Sequence, residues 1–131
     1  EAIEQHQFKV YFQPKYSIKN REITGAEALI RWERENGEVL SPDSFIPVYE
    51  NNGKIVELDF YVFETVVKYL AKNQKEGRNQ VPISINASSL HAMDPQTITL
   101  YMDILKKYDV DPSLVEIELT ETAVVSEYES I

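Results

Sequence analysis

The stretch TGAEALIRW, residues 24–32, decides the fold, because it reads in two ways that lead to different proteins. As a helix it would set Glu27 and Arg31 four residues apart as an ordinary surface ion pair. As a strand it puts Glu27, Leu29 and Arg31 on one face and Ala28, Ile30 and Trp32 on the other. The two charges then stand roughly 13 Å apart, each available to part of a long ligand. The run of Ala, Leu, Ile and Trp bounded by Gly25 leaves both readings open by itself.

Its surroundings decide for the strand. Upstream, FKVYFQPKYSI (8–18) alternates in strand fashion, with Pro14 marking a bend or strand end, and KNREITG (19–25) reads as the turn into a second strand over 23–32. After the loop ERENGEVL (33–40), Ser41 and Pro42 start a helix and Gly53 ends it. A longer helix is predicted over Glu57–Glu76, with Leu58, Val62, Thr65, Val66, Tyr69 and Leu70 on its apolar side and Gly77 as its stop. Val81–Ala87 is a third strand. Asp94 caps a further helix that has Pro95 at its first position and Ile98, Tyr101, Met102, Leu105 and Tyr108 as its buried stripe. The segment DPS (111–113) leads into a fourth strand, Val115–Thr120, and SEYESI (126–131) reads as the start of another helix. Strand, helix, strand, helix, strand is the order of a parallel sheet with crossover helices.

The strands share a design. Ser84, Asn86 and Ser88 form one face of the third, and Glu116, Glu118 and Thr120 one face of the fourth. Any one of these alone fits the wet face of an antiparallel sheet. Helices cover the outer faces of a parallel sheet, so a repeated polar face has to point into a barrel mouth or a ligand crevice. There Glu27, Asn86 and Glu118 bring two carboxylates and a carboxamide oxygen, a hard all-oxygen set that suits Mg²⁺ or Mn²⁺. Zinc does not fit: the chain has no cysteine, and His6 and His91, without a partner motif, read as surface or packing residues.

Composition narrows the function further. Asp and Glu number 22 against 13 Lys and Arg, a net charge of -9 with no basic block, which argues against DNA or RNA as partner. The four glycines, at 25, 37, 53 and 77, assemble neither a dinucleotide-binding fingerprint nor a P-loop. No apolar run approaches the roughly 20 residues that cross a bilayer, and EAIEQHQF (1–8) lacks the order of a signal peptide, so a cytoplasmic protein is expected. At 131 residues and 43% apolar content, the chain can bury one ordinary core, and nothing divides it into two domains.

Six motifs in order resemble a known family, the EAL-domain phosphodiesterases of bacterial cyclic di-GMP signalling. They are YFQP (11–14), EALIRW (27–32), SPDSFIPVYENNGKI (41–55), ELDFYVF (57–63), SINAS (84–88) and ELTET (118–122). The resemblance implies an α/β fold, a TIM-like (β/α) barrel whose first strand runs antiparallel to the rest. It also implies hydrolysis of cyclic di-GMP to linear pGpG by a two-metal mechanism with Mg²⁺ or Mn²⁺. By motif position, Glu27, Asn86 and Glu118 are the implied metal ligands and Gln13 and Arg31 the implied substrate contacts. Glu27, Glu118 and Glu121 are the implied catalytic carboxylates, Glu121 anchoring a catalytic loop from later in the barrel. The family's paired aspartates, catalytic lysine and final Glu and Gln have no counterpart in this chain. Residues 1–131 are therefore expected to be the N-terminal half of a single EAL domain, truncated after about four strands, inactive alone and self-associating through the exposed barrel half. The alternative is an EAL-like module that binds cyclic di-GMP or a protein partner without catalysis.

Overall fold

The computed structural model describes residues 7–51, 53–87 and 94–119. Two long strands, β1 (Phe8–Ser17) and β2 (Glu22–Glu33), form an antiparallel hairpin, and a two-residue strand, β3 (Val39–Leu40), folds back antiparallel onto the end of β2. Helices α1 (Pro42–Asn51) and α2 (Ile55–Lys75) lead to β4 (Ile83–Ala87), and helix α3 (Pro95–Tyr108) and a 3₁₀ turn (Pro112–Leu114) lead to β5 (Val115–Leu119). β4 lies parallel to β2 and β5 parallel to β4, giving the order β1-β2-β4-β5. This is the expected α/β arrangement, an antiparallel first strand followed by parallel strands with crossover helices.

The apolar parity of the strands explains the layering. Ala26, Ala28, Ile83 and Ile85 turn to one side of the sheet and join Val62, Phe63, Val66, Val67 and Leu70 of α2, with Tyr101 and Leu105 of α3, in one buried cluster. Val66 and Val67 are fully buried, and burial of each such side chain stabilises the fold by about 1.5–3 kcal/mol. A second cluster of Phe8, Phe45, Ile55 and Leu58 pins α1 to the hairpin. In it the ring of Phe8 lies 5.5 Å from Trp32 and 5.3 Å from Phe45, distances at which aromatic pairs add to simple burial.

Helix ends follow their local chemistry. The Asp94 side chain accepts a hydrogen bond from the Gln96 amide at 2.8 Å with Pro95 at the first helical position. Gly77, at φ +70, takes the left-handed conformation that lets the chain leave α2.

Several sequence expectations shift. Helix α2 starts at Ile55 and not at Glu57, and Tyr69, expected on its apolar side, is 39% exposed with its ring stacked on Phe12 at 4.4 Å. Pro14 neither bends nor ends β1, which runs on to Ser17 with Pro14 paired to Ala26, because β1 is an edge strand among the described residues and its missing N–H breaks no ladder. The loop after β2 contains β3, too short to show a period of two. β4 starts at Ile83 and not at Val81; the Pro82 carbonyl still accepts from the Ala26 amide at 3.0 Å. In α3, Tyr101 and Leu105 are buried as expected, but Ile98 and Met102 are exposed and line an apolar groove with Phe63, Ile117 and Leu119. The expected helix start at 126–131, together with Thr120, Ser88, His6 and His91, lies outside the described residues.

Candidate active site

Register assembles the polar face. Gln13 pairs with Glu27 across the hairpin, Glu27 with Ser84 across the parallel β2–β4 ladder, and Ser84 and Asn86 with Glu116 and Glu118 on β5. Directly paired residues project to the same side of a sheet. Gln13, Glu27, Ser84, Asn86, Glu116 and Glu118 therefore share the face opposite α2 and α3.

Side-chain bonds tighten this set. Asn86 Nδ2 donates to Glu27 Oε2 at 2.8 Å. An amide that donates through its nitrogen keeps its carbonyl oxygen as an acceptor beside the carboxylate. Ser84 is buried, and its hydroxyl donates to Glu116 Oε2 at 3.2 Å while accepting from the Lys15 ammonium at 2.9 Å. Lys15 Nζ also stands 3.8 Å from Glu118 Oε1. Arg31, two steps along the same face of β2 from Glu27, is half-buried, and its Nη1 donates to the Ile30 carbonyl at 2.7 Å. At the same end of the hairpin the Tyr11 hydroxyl donates to Glu33, a bond that lifts the phenol above its ordinary range.

The structure thus brings Glu27, Asn86 and Glu118 onto one face, sets Gln13 beside Glu27, and leaves Arg31 toward the strand end. Glu121 lies outside the described residues. Among the described residues no group of three or more His, Cys, Asp or Glu side chains could by itself hold a metal ion. The side-chain oxygens of Glu27, Asn86 and Glu118 are hard donors of the kind that suits Mg²⁺ or Mn²⁺, and one from each would fill three of the six positions of an octahedral ion, which usually keeps several waters.

Sequence reasoning missed Lys15. Lys15 pairs with Gly25 across the hairpin, and its Cδ lies 3.8 Å from where a Cβ at Gly25 would stand, an ordinary contact distance, so no local feature of the sequence marks the lysine.

Beside the polar face a cavity of about 380 Å³ opens between the sheet and helices α1 and α2, lined by Leu29, Pro42, Ile46, Glu50, Asp59 and Asn86 among others. The triplet Glu27-Ala28-Leu29 therefore has three physical jobs. Glu27 faces the polar site, Ala28 is 4% exposed and small enough for the core under α2, and Leu29 walls the cavity.

The family model of the EAL domain matches residues 1–131. The chain belongs to the EAL domain family. This EAL chain is 34% identical over 122 residues to the signaling protein YkoW of Bacillus subtilis, an alignment that covers 93% of the chain and 15% of that protein. It is 36% identical over 121 residues to the probable cyclic di-GMP phosphodiesterase PdeB of Escherichia coli, covering 92% of the chain and 23% of PdeB. Among solved structures, the PaMucR phosphodiesterase in complex with c-di-GMP matches with a TM-score of 0.87 at 26% identity, over 98% of the chain and 52% of PaMucR. The EAL chain thus spans a minor part of these curated relatives and about half of the solved one. No helix among the described residues is long and apolar enough to cross a membrane.

Proposed function

We propose that the protein carrying this chain hydrolyses one phosphodiester bond of cyclic di-GMP to give linear pGpG, with Glu27, Asn86 and Glu118 holding Mg²⁺ or Mn²⁺ on the polar face. The observation that carries this reading is the 2.8 Å bond from Asn86 to Glu27, with Glu118 as the register partner of Asn86. Three strands each supply one oxygen donor to the same side. A divalent ion held by these residues would supply activation of a water and neutralisation of charge at phosphorus.

The chain's own residues position and orient. Asn86 fixes the Glu27 carboxylate. The Arg31 fork suits a phosphate, to which it can offer paired charge-assisted bonds. Gln13, opposite Glu27, offers an amide to the substrate, and the cavity walled by Leu29 and Pro42 takes an apolar face of a base. Glu121 anchors a loop supplied from later in the barrel. In this reading residues 1–131 are the N-terminal half of one domain, in keeping with their coverage of 52% of PaMucR, and the protein works in the cytoplasm. By themselves the 131 residues are catalytically silent and self-associate through β5 and the apolar groove of Phe63, Ile98, Met102, Ile117 and Leu119. Light scattering behind a size-exclusion column tests that point, and a clean monomer would refute it.

The decisive test of function is Glu27→Ala in the full-length protein, assayed for pGpG release in Mn²⁺ with circular dichroism as the fold control. Turnover should fall below about a tenth of wild type, because a lost ligand removes stabilisation specific to the transition state, while the fold persists. Retention of more than that sinks the assignment. A wild-type protein that binds cyclic di-GMP without cleaving it would instead establish the receptor reading.

A further inference from the structure

Among the described residues Lys15 brings an ammonium to the carboxylates of the polar face, and it follows directly on the YFQP motif without belonging to it. Its stem crosses β2 over Gly25, and its Nζ meets Ser84 Oγ on β4 at 2.9 Å and Glu118 Oε1 on β5 at 3.8 Å. Ser84 in turn donates to Glu116, so one cation from β1 serves a chain of acceptors on two other strands. We propose that Lys15 is a resident counter-ion of the site: it neutralises Glu118 when no metal is bound and competes with a divalent ion for that carboxylate.

The inference rests on the reading of Glu118 as a metal ligand. Its physical basis is charge. The Lys15 and Glu118 side chains are 47% and 49% exposed, so the ion pair adds little to stability, and its removal leaves the fold intact. A unit positive charge about 6 Å from a divalent ion, in a dielectric close to that of water, weakens binding by about tenfold. The lysine therefore sets the metal concentration at which the site fills without being needed to build it.

Mn²⁺ binding to the full-length protein, followed by loss of the free-ion electron paramagnetic resonance signal, separates the possibilities. Lys15→Met should tighten Mn²⁺ binding by about tenfold, whereas Lys15→Arg, which keeps the charge, should stay within about twofold of wild type. Circular dichroism confirms the fold of both variants. Unchanged or weaker binding by Lys15→Met overturns the proposal, weaker binding meaning that the lysine presents Glu118 to the metal and does not compete with it. Glu118→Gln tests the underlying reading separately. If that variant binds Mn²⁺ like wild type, the ligand assignment fails, and with it the competition. If it loses Mn²⁺ while Lys15→Met has no effect, only the role of Lys15 fails.

Discussion

Replacing Asn86 by Asp separates the two things this residue does. In the metal-free protein the amide donates a 2.8 Å hydrogen bond to Glu27. A carboxylate in its place cannot donate, and it faces a like charge at nearly the same distance. Loss of the hydrogen bond costs about 1 kcal/mol. Repulsion between unit charges about 3 Å apart at an exposed site, with a dielectric close to that of water, adds about 1–2 kcal/mol. Asn86→Asp should therefore lose about 2–3 kcal/mol in EDTA, and Asn86→Ala only about 1 kcal/mol. On the proposed assignment a divalent ion should reverse the order, because the new carboxylate is a stronger ligand than an amide oxygen. Urea unfolding at neutral pH in EDTA and in saturating Mn²⁺ checks both halves. If the two variants are equally stable in EDTA, or if Mn²⁺ fails to rescue the Asp variant preferentially, the close approach of these side chains is not what organises the site.

Other consequences follow from particular contacts. Arg31→Ala should raise the Michaelis constant for cyclic di-GMP more than it weakens metal binding, and Arg31→Lys should restore it only in part, since a point charge cannot replace the planar fork. Gly25→Ala should cost about 1–3 kcal/mol in thermal or urea unfolding, because its Cβ would stand 3.2 Å from the Pro82 carbonyl that bonds to Ala26. Burial, reinforced by the charge of Asp59, pushes the Tyr101 phenol up to about 12 from 10.0. A raised value in the folded state means stability is fully present below the unfolded value and falls as pH climbs from about 10 to about 12. Tyr101→Phe should flatten that fall in unfolding curves recorded across the window. The Tyr108 hydroxyl bonds to Glu64 at 2.6 Å and holds that carboxyl below its ordinary range. The stability this adds is present above the unfolded carboxyl value and is lost as pH falls through the lower, folded one. In Tyr108→Phe the Glu64 titration seen by carbon NMR should move upward.

How much could be read beforehand depended on whether a residue's role was local. Strand parity is local, so the face shared by Glu27, Asn86 and Glu118 was legible from alternation alone, and so were the caps at Asp94 and Gly77. Pro14 misled because a proline breaks a ladder only when its N–H is needed, and which strand becomes an edge is decided by the whole sheet. Ile98 and Met102 fit the apolar spacing of α3, yet α2 meets that helix through Tyr101 and Leu105, and no helical period specifies which part of a wide stripe a neighbour covers. Lys15 escaped for the same reason. Its partners are 69 residues away at Ser84 and farther still at Glu118, and only the register joining four strands brings them together.

That register also orders events in time. The β1–β2 hairpin closes through residues 18–21, so every pair in it is near in sequence, whereas the bond from Asn86 to Glu27 spans 59 residues. Hairpins form in about 1–10 μs, but a growing chain lengthens by only about 5–20 residues each second. The hairpin is complete once Glu33 has been made, and Asn86 follows 53 residues later, about 3–10 s at that pace. Whenever it closes in that interval, the ribbon sets Gln13, Lys15 and Glu27 in register on one side, while Val10, Phe12, Ala26 and Ile30 on the other await α2. One side of the proposed site can thus come into register before Ser84, Asn86 and Glu118 have been made, and the apolar side of the same ribbon is what a chaperone would meet first.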